Sequence, residues 1–232
     1  MKTILITGVT SGVGLETAAK FIGLGWNVIG LARTLNRLME IQSTLGTSFH
    51  PYNVDIRNSG QVQVSFSKIQ AKFQEIDIFV NNAAAFKSGS FEKMSIQDID
   101  DVIDTNLKGA IYCTYFALKL LRKGSGRIIN IDSVAGTHGI EGQSIYCASK
   151  YGLDGFSETL GQEVLRNGIK ITTIYPGGID TPLWNGVDNP YPGDKSQILK
   201  PSDITSLIWQ ISELSDNVVM KKMVVFPSNE WH

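Results

Sequence analysis

Tyr146 and Lys150 stand at i and i+4 in the run Tyr146-Cys147-Ala148-Ser149-Lys150, with Ser133 upstream of them. On a helix this spacing stacks the two side chains on one face. Phenol alone is a poor acid–base catalyst near neutrality, because its reference pKa is ~10. A neighbouring ammonium favours the phenolate and draws the pKa towards the range where proton transfer is most useful. A shift of ~3 units takes about 4 kcal/mol of differential stabilisation, so Lys150 would act together with a second cation. The pair by itself is weak, since an exposed helix also carries Tyr and Lys at this spacing by chance.

A second constellation lies at the N-terminus. Thr3-Ile4-Leu5-Ile6-Thr7 is an apolar, β-branched run that reads as a buried strand. It enters Gly8-Val9-Thr10-Ser11-Gly12-Val13-Gly14, after which Leu15 to Ile22 reads as an amphipathic helix. Strand, glycine turn, helix is the context in which glycines signal dinucleotide binding. The glycines permit a tight turn and close backbone approach, and the helix start offers free N–H groups to a pyrophosphate. Gly8, Thr10, Ser11, Gly12, Val13 and Gly14 are the expected phosphate-side contacts. The spacing is GxxxGxG rather than GxGxxG, and a plain glycine-rich turn is the alternative.

Taken together, these residues resemble the short-chain dehydrogenase/reductase family over nearly the whole chain. Thr7 to Gly14 is similar to the family's TGxxxGxG motif. Asn81-Asn82-Ala83-Ala84 is similar to its NNAG motif, with Ala84 in place of glycine. Asn106 matches its helix asparagine, and Ser133, Tyr146 and Lys150 match its Ser–Tyr–Lys set. Tyr175-Pro176-Gly177-Gly178-Ile179-Asp180-Thr181 is similar to the segment over the nicotinamide. The resemblance implies an oxidoreductase acting on a carbonyl or secondary alcohol, with a 3-oxo or 3-hydroxy acid or a related small compound among its candidate substrates. It implies that Ser133 binds the substrate oxygen, Tyr146 transfers the proton, and Lys150 lowers the Tyr146 pKa and holds the nicotinamide ribose. The nicotinamide ring is then the second cation. Asn106 anchors a water behind Lys150; a helix-kink amide is its other reading. Asn82, Ala83, Pro176, Gly177, Ile179 and Thr181 complete the expected cofactor contacts.

The second strand ends in Ala32-Arg33-Thr34, about 20 residues past Gly14, where an acidic residue would bind the ribose 2′-hydroxyl of NAD. Arg33 suits a 2′-phosphate by charge and by its donor fork, so NADP is the expected cofactor and NAD the less favoured one. A solvated loop arginine is the alternative. Asp55, followed by Ile56, matches the family's adenine-edge aspartate, or else caps the helix starting near Asn58.

Composition excludes several classes. A net charge of −1 over 232 residues offers no basic patch for nucleic acid. No apolar run approaches the ~20 residues of a membrane span. The N-terminus runs straight into the first strand, so no signal peptide is expected and the expected compartment is the cytoplasm. Cys113 and Cys147 are too few for a disulfide framework, and His50, His138 and His232 form no metal-ligand spacing. No metal is expected. Cys147 reads as a packing residue rather than a redox switch.

Strands are expected near 3–7, 26–31, 47–53, 76–80, 126–131, 169–175 and 222–226. Helices are expected near 12–24, 35–45, 58–74, 96–121, 144–166 and 202–214. This alternation specifies one α/β domain over 1–232, a doubly wound seven-stranded parallel sheet with helices on both faces. Ligands then bind beyond the carboxyl ends of the strands. A loop over about 181–201 is expected to cover the substrate. Gly139 to Ser144, Trp184 and Tyr191 are pocket candidates, although the two aromatics would equally pack on the body of the protein. Asp132 is expected to point away from the substrate. The C-terminal arrangement resembles the branch of NADP-dependent 3-hydroxy acid and serine dehydrogenases. The resemblance also implies a homodimer or homotetramer built on the helices near 96–121 and 144–166. A non-catalytic NADP-binding regulator or assembly protein is the alternative; sugar-nucleotide epimerases need a C-terminal domain for which this chain is too short.

Overall fold

Alternation along each strand sorts its side chains onto two faces. In β1 (Thr3–Thr7), Ile4 and Ile6 enter one core and Leu5 the other. The same sorting holds in β4 (Ile78–Asn81), where Ile78 and Val80 face one way and Phe79 the other. Strands buried on both faces belong to a covered parallel sheet. The computed structural model, which describes residues 1–184, 191 and 194–228, shows that sheet. Its other strands are β2 (Asn27–Ala32), β3 (Phe49–Asn53), β5 (Arg127–Ile131), β6 (Lys170–Pro176) and β7 (Lys222–Val225). All neighbours pair in parallel, in the order β3-β2-β1-β4-β5-β6-β7.

One face is covered by α1 (Gly12–Gly23), α2 (Leu35–Leu45) and α7 (Pro201–Ser212), through Phe21, Leu38 and Ile208 among others. The other is covered by α3 (Ser59–Lys72), α5 (Ala110–Ala117) and α6 (Ser144–Val164), through Phe66, Cys113 and Val164. The strand order reverses between β1 and β4, so the loops leaving these two strands diverge and open a crevice. Among the described residues no helix is long and apolar enough to cross a membrane.

The single helix expected over 96–121 is two. α4 (Ile96–Ile103) begins in a Ser95–Asp98 capping box and passes through a π-helical turn at Asp104–Gly109 into α5. The wide turn carries Asn106 inward, where its amide is held at both ends. Oδ1 accepts from the Ala85 N–H at 2.7 Å, and Nδ2 donates to Ala85 O at 2.9 Å and Ser149 Oγ at 3.0 Å. Gly109 ends the turn where a Cβ would lie 2.8 Å from Ile56. Of the loop expected over 181–201, residues 185–190 and 192–193 lie outside the described residues, as does His232.

Candidate active site

The loop after β1 is shaped by two glycines with no room for a side chain. Gly8 has φ +68°, and a Cβ on it would lie 2.7 Å from Ala83 Cα. A Cβ on Gly14 would lie 2.4 Å from Gly8 O and 2.6 Å from Asn82 Nδ2. Asn82 ties this loop to the end of β4, donating from Nδ2 to Thr7 O at 2.9 Å and Gly8 O at 3.1 Å. Thr7 Oγ1 in turn accepts from the N–H groups of Asn82 and Ala83 at 3.0 and 3.1 Å. Ser11 precedes α1 without a side-chain capping bond, so the first turn keeps its N–H groups for another acceptor. Among the described residues every positive φ belongs to glycine, so Ala84 stands unstrained where the family has glycine.

A cleft of about 290 Å³ runs from this loop across the strand ends. Its walls include Gly8, Thr10, Ser11, Gly12, Val13, Arg33, Asp55, Ile56, Asn82, Ala83, Ile179 and Thr181, together with Tyr146 and Lys150. Gly14 lies beneath the loop. Arg33 is exposed, and its backbone is pinned by Asn53 Nδ2 donating to Arg33 O at 2.7 Å. Asp55 does not cap α3, because Asn58 does, accepting from the Gln61 N–H at 3.0 Å. The Asp55 carboxylate is gripped by Arg57, with Nη2 to Oδ2 at 2.7 Å, and the hydrogen bond from Arg57 holds its pKa below the usual range. A glycine cradle, a helix start with free donors and an exposed arginine at the end of β2 together fit a dinucleotide with a 2′-phosphate.

Ser133 follows β5 in extended backbone. Its Oγ accepts from the Ala135 N–H at 3.1 Å and is hydrogen-bonded to the Tyr146 phenol. Tyr146 and Lys150 lie one turn apart on α6, both buried. Lys150 Nζ donates to Ile131 O at 3.0 Å and lies 5.6 Å from the Tyr146 ring centre. Its nearest carboxylate is Asp132, at 3.8 Å. The lowering of the Tyr146 pKa expected from Lys150 does not appear in the protein alone. Burial pushes the phenol up, the Ser133 hydrogen bond pulls it down, and Asp132 pushes it up again. Burial also lowers the Lys150 pKa, with Asp132 acting against it.

A second cavity of about 320 Å³ adjoins the cleft and is lined by Ser133, Tyr146, Pro176, Gly177 and Trp184. Pro176 and Gly177 thus sit on this side and not in the nucleotide cleft. Asn106 lines neither space. Thr105, its neighbour, lines the cleft and carried no motif to reveal it. From the 139–144 segment Ile140 and Gln143 line the second cavity, joined by Val134, His138, Leu183 and Phe226, which no pattern marked. Cys147 packs beside Tyr146, Ala135 and Val102.

Asp132 is sealed from solvent, with neither carboxylate oxygen hydrogen-bonded and Oδ1 3.8 Å from Lys150 Nζ, and the residue borders both the cleft and the second cavity. Gly136 passes over it where a Cβ would come within 3.1 Å of Oδ1. Burial raises its pKa from 3.8 to about 7, against the pull of Lys150. The unfolded chain therefore loses this proton near its ordinary pKa while the folded chain keeps it. The stabilisation this provides is complete below that value and lost as pH rises through about 7. Thermal melts of the parent and Asp132→Asn across this range should show the parent's relative stability declining between about pH 4 and about pH 7. A constant difference would show that the carboxyl does not titrate in that window.

A family model described as short chain dehydrogenase matches residues 2–191. The chain belongs to the short-chain dehydrogenase family. It is an NAD(P)-dependent oxidoreductase of the kind that acts on CH–OH groups. The chain is 30% identical over 237 residues to a serine 3-dehydrogenase of Agrobacterium fabrum, covering 98% of this chain and 94% of that one. It is 31% identical to an NADP-dependent 3-hydroxy acid dehydrogenase of Escherichia coli, covering 97% and 94%. Among solved structures, the closed form of a serine dehydrogenase complexed with NADP+ superposes with a TM-score of 0.91 at 29% identity, covering 99% of this chain and 96% of that one.

Proposed function

We propose that this protein is an NADP-dependent oxidoreductase that interconverts a carbonyl compound and its secondary alcohol through Ser133, Tyr146 and Lys150. The observation that carries the reading is the position of Tyr146, which is a wall of both the nucleotide cleft and the second cavity. Lys150 opens to the cleft and Ser133 to the cavity. When bound, the nicotinamide supplies or accepts the hydride. The glycine loop and the start of α1 hold the phosphates, and Arg33 holds the 2′-phosphate. Ser133 Oγ and the Tyr146 hydroxyl converge on one substrate oxygen, so the proton on the phenol lies next to the atom that needs it. The upward push on the phenol keeps that proton in place at neutral pH, which suits the reducing direction, because a developing alkoxide is more basic than phenolate. Lys150 Nζ stands behind Tyr146 as the buried cation that meets the negative charge left on the phenol. Asn106 acts as a positioning residue, locking Ala85 and Ser149 beside α6. The relatives' names make serine and 3-hydroxy acids one candidate substrate class.

Two expected results arise here. Arg33→Asp should reverse or abolish a preference for NADP(H) over NAD(H), by removing a charge-assisted contact worth roughly 1.5–3 kcal/mol, on the order of 10- to 100-fold in affinity, and adding repulsion. Calorimetric titration of both cofactors into both proteins checks it, and equal affinities in the parent would sink the assignment. The second result concerns assembly. Tyr115 on α5 and Tyr151 on α6 are 59% and 47% exposed, large rings on the two helices named for self-association. Sedimentation should show a symmetric dimer or tetramer. Particles of only 25.4 kDa at micromolar concentration would contradict it.

A further inference from the structure

The walls of the second cavity are aromatic. Phe86 meets Tyr146 edge-on with ring centres 4.9 Å apart, Trp184 meets Phe86 at 4.8 Å, and Tyr191 meets Trp184 at 5.1 Å. Of these rings Tyr146, Trp184 and Tyr191 line the cavity, and Phe86, which does not, joins Tyr146 to Trp184. Trp184 spends its one polar atom inside the protein, donating from Nε1 to Ile179 O at 3.0 Å. It therefore offers the cavity only hydrocarbon. Tyr191 lies on the backbone of Gly178, where a Cβ would come within 2.7 Å of the ring. Val134, Ile140, Leu183 and Phe226 complete the apolar lining.

Charge is sparse around this lining. Among the described residues no lysine or arginine lines the cavity; its titratable side chains besides Tyr146 and Tyr191 are Asp132, whose carboxylate is fully buried 3.8 Å from Lys150 Nζ, and His138, whose Nδ1 is hydrogen-bonded to Thr137 Oγ1 at 3.2 Å. The lysines of the surrounding segments are engaged elsewhere. Lys195 donates to Trp184 O at 3.3 Å, Lys200 pairs with Asp180 at 3.1 Å, and Lys87 pairs with Asp98 at 3.6 Å. A free carboxylate entering this cavity would shed its water without meeting a lysine or arginine among the described lining residues, which is unfavourable. An aromatic or branched body would instead gain apolar burial and edge-to-face ring contacts.

We infer that the substrate is a neutral ketone or aldehyde with an aromatic or branched apolar body, not a free oxo or hydroxy acid, and that Trp184 and Tyr191 set this preference. The inference rests on the hydride-transfer reading of Ser133, Tyr146 and Lys150.

A matched pair isolates the charge: 3-oxo-3-phenylpropanoate and its ethyl ester, with acetoacetate and ethyl acetoacetate as the pair lacking the ring. NADPH oxidation by the parent protein gives kcat/KM for each. Calorimetry on the NADP+-loaded protein gives the affinity of the corresponding 3-hydroxy compounds. Each ester should exceed its acid by at least about 10²-fold in kcat/KM and in affinity. The phenyl ester should exceed the methyl one by roughly tenfold or more. Trp184→Ala should remove most of the phenyl advantage while NADPH affinity stays at the parent value. Acids that match or exceed their esters would overturn the inference and leave the hydride-transfer reading standing. Turnover of none of the four compounds would count against that reading instead. The calorimetry would then still decide the inference, with tighter ester-side binding supporting it and equal or tighter acid binding overturning it.

Discussion

Tyr146→Phe is expected to lower turnover by at least about 10²-fold, the lower end of what a positioned acid–base group contributes. The change removes one oxygen and almost no volume from a ring already packed against Phe86, so the fold and dinucleotide affinity should survive. Lys150→Ala should be comparably inactive and should also weaken dinucleotide binding, because Lys150 lines the nucleotide cleft. It also leaves Asp132 without its cation, so a loss of stability should accompany it. The double variant should be no worse than the worse single one, since the two groups act as a unit. Steady-state kinetics with a melt on each variant separates these effects. Near-parent turnover in Tyr146→Phe would mean that the tyrosine merely packs.

The second large effect is expected at Gly14. Its missing side chain faces the Gly8 carbonyl at 2.4 Å and the Asn82 amide at 2.6 Å, and neither neighbour is free to retreat. Gly8 is backbone held by a 2.9 Å bond to Leu31 O, and Asn82 is fixed to Thr7 and Gly8. Gly14→Ala therefore displaces the cradle itself. Overpacking of this kind costs roughly 1–3 kcal/mol of stability. Loss of one charge-assisted bond to the pyrophosphate costs on the order of 10- to 100-fold in cofactor affinity. Calorimetric titration with NADP(H) and a thermal melt measure the two consequences. Parent-like values in both would show that the loop has more room than the structure assigns to it.

What the sequence disclosed was whatever lies close together along the chain. Gly8 to Gly14 is interpretable because strand, turn and helix are contiguous, and Tyr146 with Lys150 because one helical turn joins them. The β-strands were placed to within a few residues because buried parallel strands are apolar on both faces. The break at Asp104–Gly109 was hidden, since the apolar pattern of the helices runs through it and its cause lies at Ala85, Ser149 and Ile56, on other elements. The same applies to the polar chain across the sheet, in which Asn81 donates to Thr114 and Asn130, and Asn130 donates to Ser157. The aromatic run joins positions 86, 146, 184 and 191, which no local pattern connects. The buried Asp132 beside Lys150 could not be read from the spacing of Tyr146 and Lys150, because it lies at the end of β5 and not on α6.

The central claim is direct hydride transfer to a carbonyl held by Ser133 and Tyr146. Its most direct test uses NADPH deuterated at the transferring position, incubated with the parent protein and a panel of esters, ketones, aldehydes, diketones, sugars and 3-oxo acids. Mass spectrometry of the products then locates the label. The expected result is an alcohol carrying deuterium on the former carbonyl carbon, formed in step with NADPH consumption. Tight NADPH binding with no labelled alcohol from any compound would contradict the account and leave a dinucleotide-binding protein without catalysis.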